Sequence, residues 1–319
     1  MIAVLADEKA LTRGLVDSGV PAAKASAIIV RDENEADVFG QKVRDTVQLA
    51  DYFVRNDADH ADKLARKAER FLDLVFNVEV ISPSVDETSM TEAFAAAANS
   101  ACLSRQVGAA VCASNGELLG LGWNDVPRSG GGLYSPSDGE NDNRCFRWGG
   151  MICHNDDRKD RLYKQVLAAL KDRKILKDGI ADDQVLSAVM STDVRNLIEF
   201  SRAVHAEMAA LLSVARSAKS GLTGGTMYVT TFPCHSCARH IVAAGIAKVV
   251  YIEPYPKSLT IELHRDALFS GFESADGKSV QFVQYEGVAP RNTQRLFKHG
   301  IERKANGKAR SVDRKLADP

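Results

Sequence analysis

The chain has almost no net charge: 41 Lys and Arg against 42 Asp and Glu leave −1. It therefore lacks the long-range field that gathers nucleic acid or binds an anionic membrane. Long hydrophobic runs are missing as well. The alanine-rich stretch at Phe94 to Ala98 ends in polar residues and reads as a packed helix, so no segment is a membrane span, and the first residues read as a strand rather than a secretory leader. Cysteine is sparse. Cys102, Cys112, Cys145, Cys153, Cys234 and Cys237 are scattered, which excludes a small disulfide-stapled scaffold and argues for a reducing cytoplasm. A phosphate-cradling Gly-x-x-x-x-Gly-Lys-Ser/Thr loop is absent too: Gly277-Lys278-Ser279 lacks the first glycine and lies between a helical pattern and a late strand.

What is present is ordinary soluble composition, 45% apolar and 26% charged, over 319 residues, enough for one large or two small domains. Residues 1–80 read as a small α/β appendage. Met1 to Leu5 is a strand, two helical stretches follow, Leu49 to Val54 is a second strand, and Ala61, Leu64, Ala68, Phe71, Leu72 and Val75 mark an amphipathic helix. Residues 81–298 read as an α/β domain: a helix over 88–101, strands over 107–113 and 118–123 joined by Asn115-Gly116, and a polar loop from Asn124 to about Asp157. Helices up to His205 come next, followed by strands at Met227, 248–252 and 280–285, with helices near 259–269 and 292–298. Five strands with interleaved helices predict a three-layer α/β/α sandwich around a mixed sheet. Residues 299–319 read as a basic, flexible tail.

Two short clusters carry the chemistry: His205-Ala206-Glu207, and Pro233-Cys234-His235-Ser236-Cys237. One imidazole and two thiolates make a three-ligand zinc site with its fourth position open, the pattern of a catalytic ion. Two thiolates neutralise much of the ion's charge and leave its water less acidic, so a carboxylate base is needed beside it; Glu207 is placed for that role. Met208, Leu211, Leu212 and Ala215 continue as one helical face, and residues 226–230 read as a buried strand leading to the cysteines. Pro233 suits the first turn of the helix that carries them. Alone, Cys-x-x-Cys is equally a redox pair or half a zinc knuckle; the composite motif selects the catalytic site.

His-x-Glu with Pro-Cys-x-x-Cys resembles the zinc-dependent cytidine and nucleotide deaminases. Ser104-Arg105-Gln106-Val107-Gly108-Ala109 followed by Gly122-Trp123-Asn124-Asp125-Val126-Pro127 narrows the resemblance to the deoxycytidylate deaminases, whose usual form is Ser-Arg-x-Val-Gly-Ala and Gly-Tyr-Asn-Gly-Thr-Pro. The segments 233–241, 251–258 and 285–291, with 31–51 at the front, are similar to the bacterial antiphage dCTP/dCMP deaminases, which carry a P-loop kinase-like domain ahead of the deaminase. The resemblance implies a cytidine-deaminase-like fold, one catalytic zinc, a homo-oligomer, and hydrolytic deamination of dCMP or dCTP. It assigns nucleoside contact to Asn124 and phosphate contact to Ser104 and Arg105; the backbone amides around Ala206 and the cysteine helix are expected to hold the base. Residues 1–80 then correspond to the end of the kinase-like domain without its phosphate loop, in a naturally short or a truncated member.

Further candidates are weaker. Cys102, Cys145, Cys153 and His154 form a second, structural zinc site if this chain follows those deoxycytidylate deaminases that have one; otherwise they are core thiols and loop residues. Lys257, Ser258 and Arg291 offer donors for phosphate, and Ser129 to Tyr134 reads either as a lid whose Tyr134 stacks on a base or as a plain connector. Two competing functions stay open: deamination of a base in tRNA or single-stranded DNA, which the basic tail favours and the neutral charge opposes, and a non-catalytic zinc module.

Overall fold

The computed structural model describes residues 1–6, 8–34, 47, 49–56, 61–217, 221–255, 258–271, 279–298 and 302–309. The front segment contains β1 (Ile2–Leu5), α1 (Glu8–Asp17), α2 (Ala22–Asn34), β2 (Tyr52–Arg55) and α3 (Ala61–Val75). There follow α4 (Val85–Ala97), β3 (Gly108–Cys112), β4 (Leu118–Trp123), α5 (His154–Asp172), α6 (Asp182–Met190) and α7 (Ala206–Arg216). The last part holds β5 (Thr226–Thr231), α8 (His235–Ala243), β6 (Lys248–Glu253), α9 (Thr260–Leu263), β7 (Leu268–Ser270), β8 (Val280–Gln284), β9 (Gly287–Val288) and α10 (Thr293–Phe297).

Among the described residues the central sheet has six strands, ordered β4-β3-β5-β6-β8-β7, rather than the expected five. The added strand is β7. Leu259, Leu263, Leu268 and Phe269 mimic a helical stripe, but the helix ends at Leu263 and residues 268–270 pair in parallel with β8. Strand β3 runs antiparallel to its neighbours β4 and β5, and β5, β6, β8 and β7 run parallel. Helices α7 and α8 cover one face around Ala210, Val214, Met227, Val229 and Ile241; α4 covers the other around Met90, Ala93, Ala110 and Tyr228.

The front segment joins this second face. Strand β2 pairs in parallel with β1 and antiparallel with β9, and Ala3, Leu5 and Phe53 enter the same apolar cluster as Met90, Val250 and Tyr285. Helix α4 starts on a capping box in which Ser84 and Glu87 satisfy each other's backbone amides. Glu87 also accepts two bonds from Arg70, at 2.9 and 2.7 Å, and one from Val288 N–H at 2.9 Å. That single carboxylate ties α3, α4 and β9 together.

Two other differences from the sequence reading are local. The loop after β4 is shorter than expected, because α5 already begins at His154. In the basic tail, residues 304–305 and 308–309 pair across an Asn306-Gly307 turn in which both residues have positive φ.

Candidate active site

Helix α7 lies directly on β4 because Gly122 has no side chain there. A Cβ on Gly122 would stand 2.2 Å from Ala210 N and 2.3 Å from Ala206 O. The chain entering the helix is held by Val204 N–H donating to Asp125 O at 2.9 Å. Asp125 is braced in turn: its carboxylate accepts from Ala101 N–H at 2.9 Å and Val126 N–H at 2.8 Å, and it faces Arg144, which is bound to Asp142. These three charged residues are buried together inside the loop that composition marked only as polar. His205 is the N-cap of α7 without a capping bond, so its ring is free to turn toward the thiols.

On the other side, α8 starts at His235 and Cys234 is its N-cap, which places Pro233 ahead of the helix rather than in its first turn. The reason is an anchor: Pro233 O accepts hydrogen bonds from Ser258 Oγ and Thr260 Oγ1, both at 2.9 Å. Ser258 thus serves the cysteine loop instead of standing free for phosphate.

The two helix starts bring three donors together. Cys234 Sγ and Cys237 Sγ each lie 3.4 Å from His205 Nδ1. Tetrahedral zinc with ordinary Zn–S and Zn–N bonds needs such a separation to be about 3.6 Å. Among the described residues this is the one group of three or more His, Cys, Asp or Glu donors within 4.8 Å of one another. The electrostatics agree. Cys234 is pushed down to about 4 by the Cys237 hydrogen bond and then, against burial, by His205. Cys237 is pushed well above the usual thiol value by its bond to Cys234 and by burial. His205 is pushed up to about 9 by its bond to the Cys234 thiolate, in spite of desolvation. One imidazole and two thiols at these spacings are donors that zinc takes, so the set fits zinc.

Glu207 sits one residue into α7, 4% exposed, and burial pushes its carboxyl up. It shares with His205, Ala206 and Cys234 the wall of a cavity of about 260 Å³. Ser104, Arg105, Asn124 and Cys102 line the same cavity. Arg105 is ion-paired with Glu253, and Asn124 spends its amide on the neighbouring loop, accepting from Val107 N–H at 2.7 Å and donating to Arg105 O at 2.8 Å. Tyr255, Asn155 and Phe232 also line it and were not singled out from sequence. Tyr255 lies within the Glu253-Pro254-Tyr255 stretch already noted for its resemblance; Asn155 follows Cys153-His154 and carries no local signal. The Oδ1 of Asn155 is buried and has no hydrogen-bond partner among the described residues.

Other expected residues stand elsewhere. Lys257 lies outside the described residues. Tyr134 is outside the cavity lining, its hydroxyl accepting from Asn143 at 3.1 Å. Arg291 donates to the carbonyls of Leu49 and Ala50, clamping the front segment. Cys102, Cys145 and Cys153 are near enough for charge on one to affect another, yet with His154 they do not gather within the 4.8 Å of a metal cluster. Cys153 caps α5 with its sulfur 3.5 Å from Ser104 Oγ, and the His154 ring packs against Trp148 at 5.5 Å.

Residues 83–253 match the family described as the cytidine and deoxycytidylate deaminase zinc-binding region. The chain belongs to that family. It is 30% identical over 171 residues to the deoxycytidylate deaminase of Enterobacteria phage T2, a match covering 54% of this chain and 81% of the phage protein. A shorter stretch of 55 residues is 49% identical to the deoxycytidylate deaminase of phage T4, covering 17% and 28% of the two chains. Among solved structures, the dCMP deaminase of cyanophage S-TIM5 in complex with dCMP and dUMP aligns at 22% identity and a TM-score of 0.36, over 64% of this chain and 99% of that one. The three-layer mixed α/β architecture is the cytidine-deaminase-like fold of the family, and the zinc-binding region named for the family contains the His205, Cys234 and Cys237 cluster.

Proposed function

We propose that this protein hydrolytically deaminates deoxycytidine nucleotides, dCMP, dCTP or both, to the deoxyuridine nucleotides and ammonia. The observation that carries the reading is the buried Glu207 carboxyl beside three donors spaced for zinc at the wall of a nucleoside-sized cavity. His205, Cys234 and Cys237 would hold the ion. When bound, it supplies the Lewis acidity that activates water at neutral pH.

Glu207 takes a proton from water as the water oxygen adds to C4 of the cytosine, then passes it to the exocyclic nitrogen. The C4–N bond breaks and ammonia leaves; the remaining hydroxyl proton moves to N3 as the uracil carbonyl forms. The Ala206 amide is the first of its helix and has no intrahelical acceptor, so it is available to a base oxygen. Asn124 and Arg105 shape the mouth where sugar and phosphate would lie. A cavity of this size takes one nucleotide, and the neutral chain offers no long track for a polynucleotide. The phage relatives act on deoxycytidylate, which favours dCMP as the first substrate to try. By resemblance, residues 1–80 are the end of a kinase-like domain, and nucleotide depletion during phage infection is the matching biological role.

The test is ammonia release by zinc-loaded protein from dCMP, dCTP, CMP and deoxycytidine given separately, with Glu207→Gln as control. Turnover of dCMP or dCTP that vanishes in the variant supports the reading. Silence on all four, with zinc bound, overturns it.

A further inference from the structure

A second cavity, of about 420 Å³, lies between α3 and the sheet face opposite the metal donors, and shares no lining residue with the first. Six basic side chains line it: Arg55, Lys63, Arg66, Lys67, Arg70 and Lys248, with three carboxylates, Asp86, Glu87 and Glu286. This excess is local, because basic and acidic residues balance over the whole chain. Positions 63, 66, 67 and 70 are three and four apart and fall on one face of α3, so the helix presents a row of four cations to the cavity.

The carboxylates are already committed. Glu87 is taken by Arg70, Ser84 and Val288; Glu286 by Lys67 at 2.7 Å and by Arg55 N–H at 2.8 Å. Asp86 accepts from the Tyr228 hydroxyl at 2.6 Å and faces Lys248 at 3.8 Å. No carboxylate among the described residues pairs with Lys63 or Arg66. A concave site with uncompensated ammonium and guanidinium groups selects a compact polyanion, and phosphate oxygens match these donors.

We propose that this cavity binds a small molecule bearing two or more linked phosphate groups. A single-stranded nucleic acid is the poorer occupant, because Asp86 and Glu286 stand on the walls across which a phosphodiester chain would run. The site is separate from the deaminase chemistry and would be filled whether or not cytosine is present.

The experiment is calorimetric titration of the full chain, zinc-loaded, with inorganic tripolyphosphate and separately with ATP, which has no cytosine. Three proteins are compared: wild type, Lys63→Glu/Arg66→Glu, and Arg105→Ala as the probe of the other cavity. Where the charge-reversed protein does not fold, Lys63→Gln/Arg66→Gln replaces it. The expected result is binding that weakens about tenfold or more in the α3 variants and is unchanged in Arg105→Ala. ATP binding more tightly than tripolyphosphate identifies a nucleotide, and equal affinity a polyphosphate group alone; both support the site. No binding, binding indifferent to the α3 substitutions, or binding lost with Arg105→Ala overturns it. So does a single-stranded oligonucleotide that binds through the same α3 cations more tightly than either probe.

Discussion

Arg105, on the wall of the cavity that holds Glu207, forms an ion pair with Glu253. The cation proposed to meet a substrate phosphate is therefore already matched by a carboxylate at the end of β6. A nucleotide must displace or share that partner, and the cost grows with the negative charge it brings near Glu253.

Removing the competitor should help the more highly charged substrate most. Glu253→Gln is expected to lower KM for dCTP by more than for dCMP, with kcat little changed, since the substitution alters binding rather than proton transfer. Arg105→Ala should raise KM for both by about tenfold, the usual effect of losing one charge-assisted hydrogen bond. Steady-state kinetics on both substrates decide the matter; an equal KM in wild type and both variants would place the phosphate elsewhere.

Metal content separates ligands from the proton carrier. His205→Ala and Cys234→Ser should each lose stoichiometric zinc by elemental analysis, because each removes one of the donors gathered around His205 Nδ1. Glu207→Gln should keep the metal and lose about 10²- to 10⁴-fold in kcat, the range for a general acid–base group. A Glu207 variant that lost zinc along with activity would make that residue a ligand instead.

The close seat of α7 on β4 gives a third expectation. Gly122→Ala drives a methyl into the backbone of the helix that carries Ala206 and Glu207, and the nearest atoms are main chain that cannot swing aside. Overpacking of this kind costs about 1–3 kcal/mol. Thermal melting should fall accordingly, and activity at temperatures well below the melt should fall too, because the helix start moves away from the cysteines. Gly14→Ala, with nothing within 4 Å of the added carbon, is the matched control and should leave both unchanged or gain slightly in stability.

How much of this was legible in the chain depends on how local each signal is. His205, Glu207, Cys234 and Cys237 lie at the starts of two helices whose apolar faces and preceding strand are written in adjacent residues, so motif and fold reading converge on them. Tyr255 reaches the cavity from the loop after β6 and Asn155 from the first turn of α5, and their approach is set by how those two elements pack. Residues 268–270 were mistaken for helix because a three-residue strand has too few positions to show a period; only its pairing with Val280 to Phe282 defines it. Asp125 stands where the usual deoxycytidylate deaminase form has glycine, yet its role as a buried brace for the entry to His205 depends on Arg144 and Ala101, both distant in sequence.

The joint between the front segment and the sheet makes stability depend on acid in a predictable way. Burial alone would raise the carboxyl of Glu87, but Arg70 and the amides of Ser84 and Val288 outweigh it and hold the group below the ordinary glutamate value of 4.5. A depressed folded-state value means the unfolded chain binds the proton more readily, so this contribution to stability is complete above pH 4.5 and is lost as pH falls toward the lower folded value. Glu87→Gln removes the charge at every pH. It should cost about 2–3 kcal/mol near neutrality, less than a fully buried pair because the Arg70 side chain is 32% exposed. Other carboxylates also titrate in this range, so the telling quantity is the difference between wild type and variant in urea unfolding from pH 7 down to pH 3. That difference should hold steady above pH 4.5 and shrink below it; a constant gap over the whole range would show that the Glu87 bonds contribute equally in both protonation states.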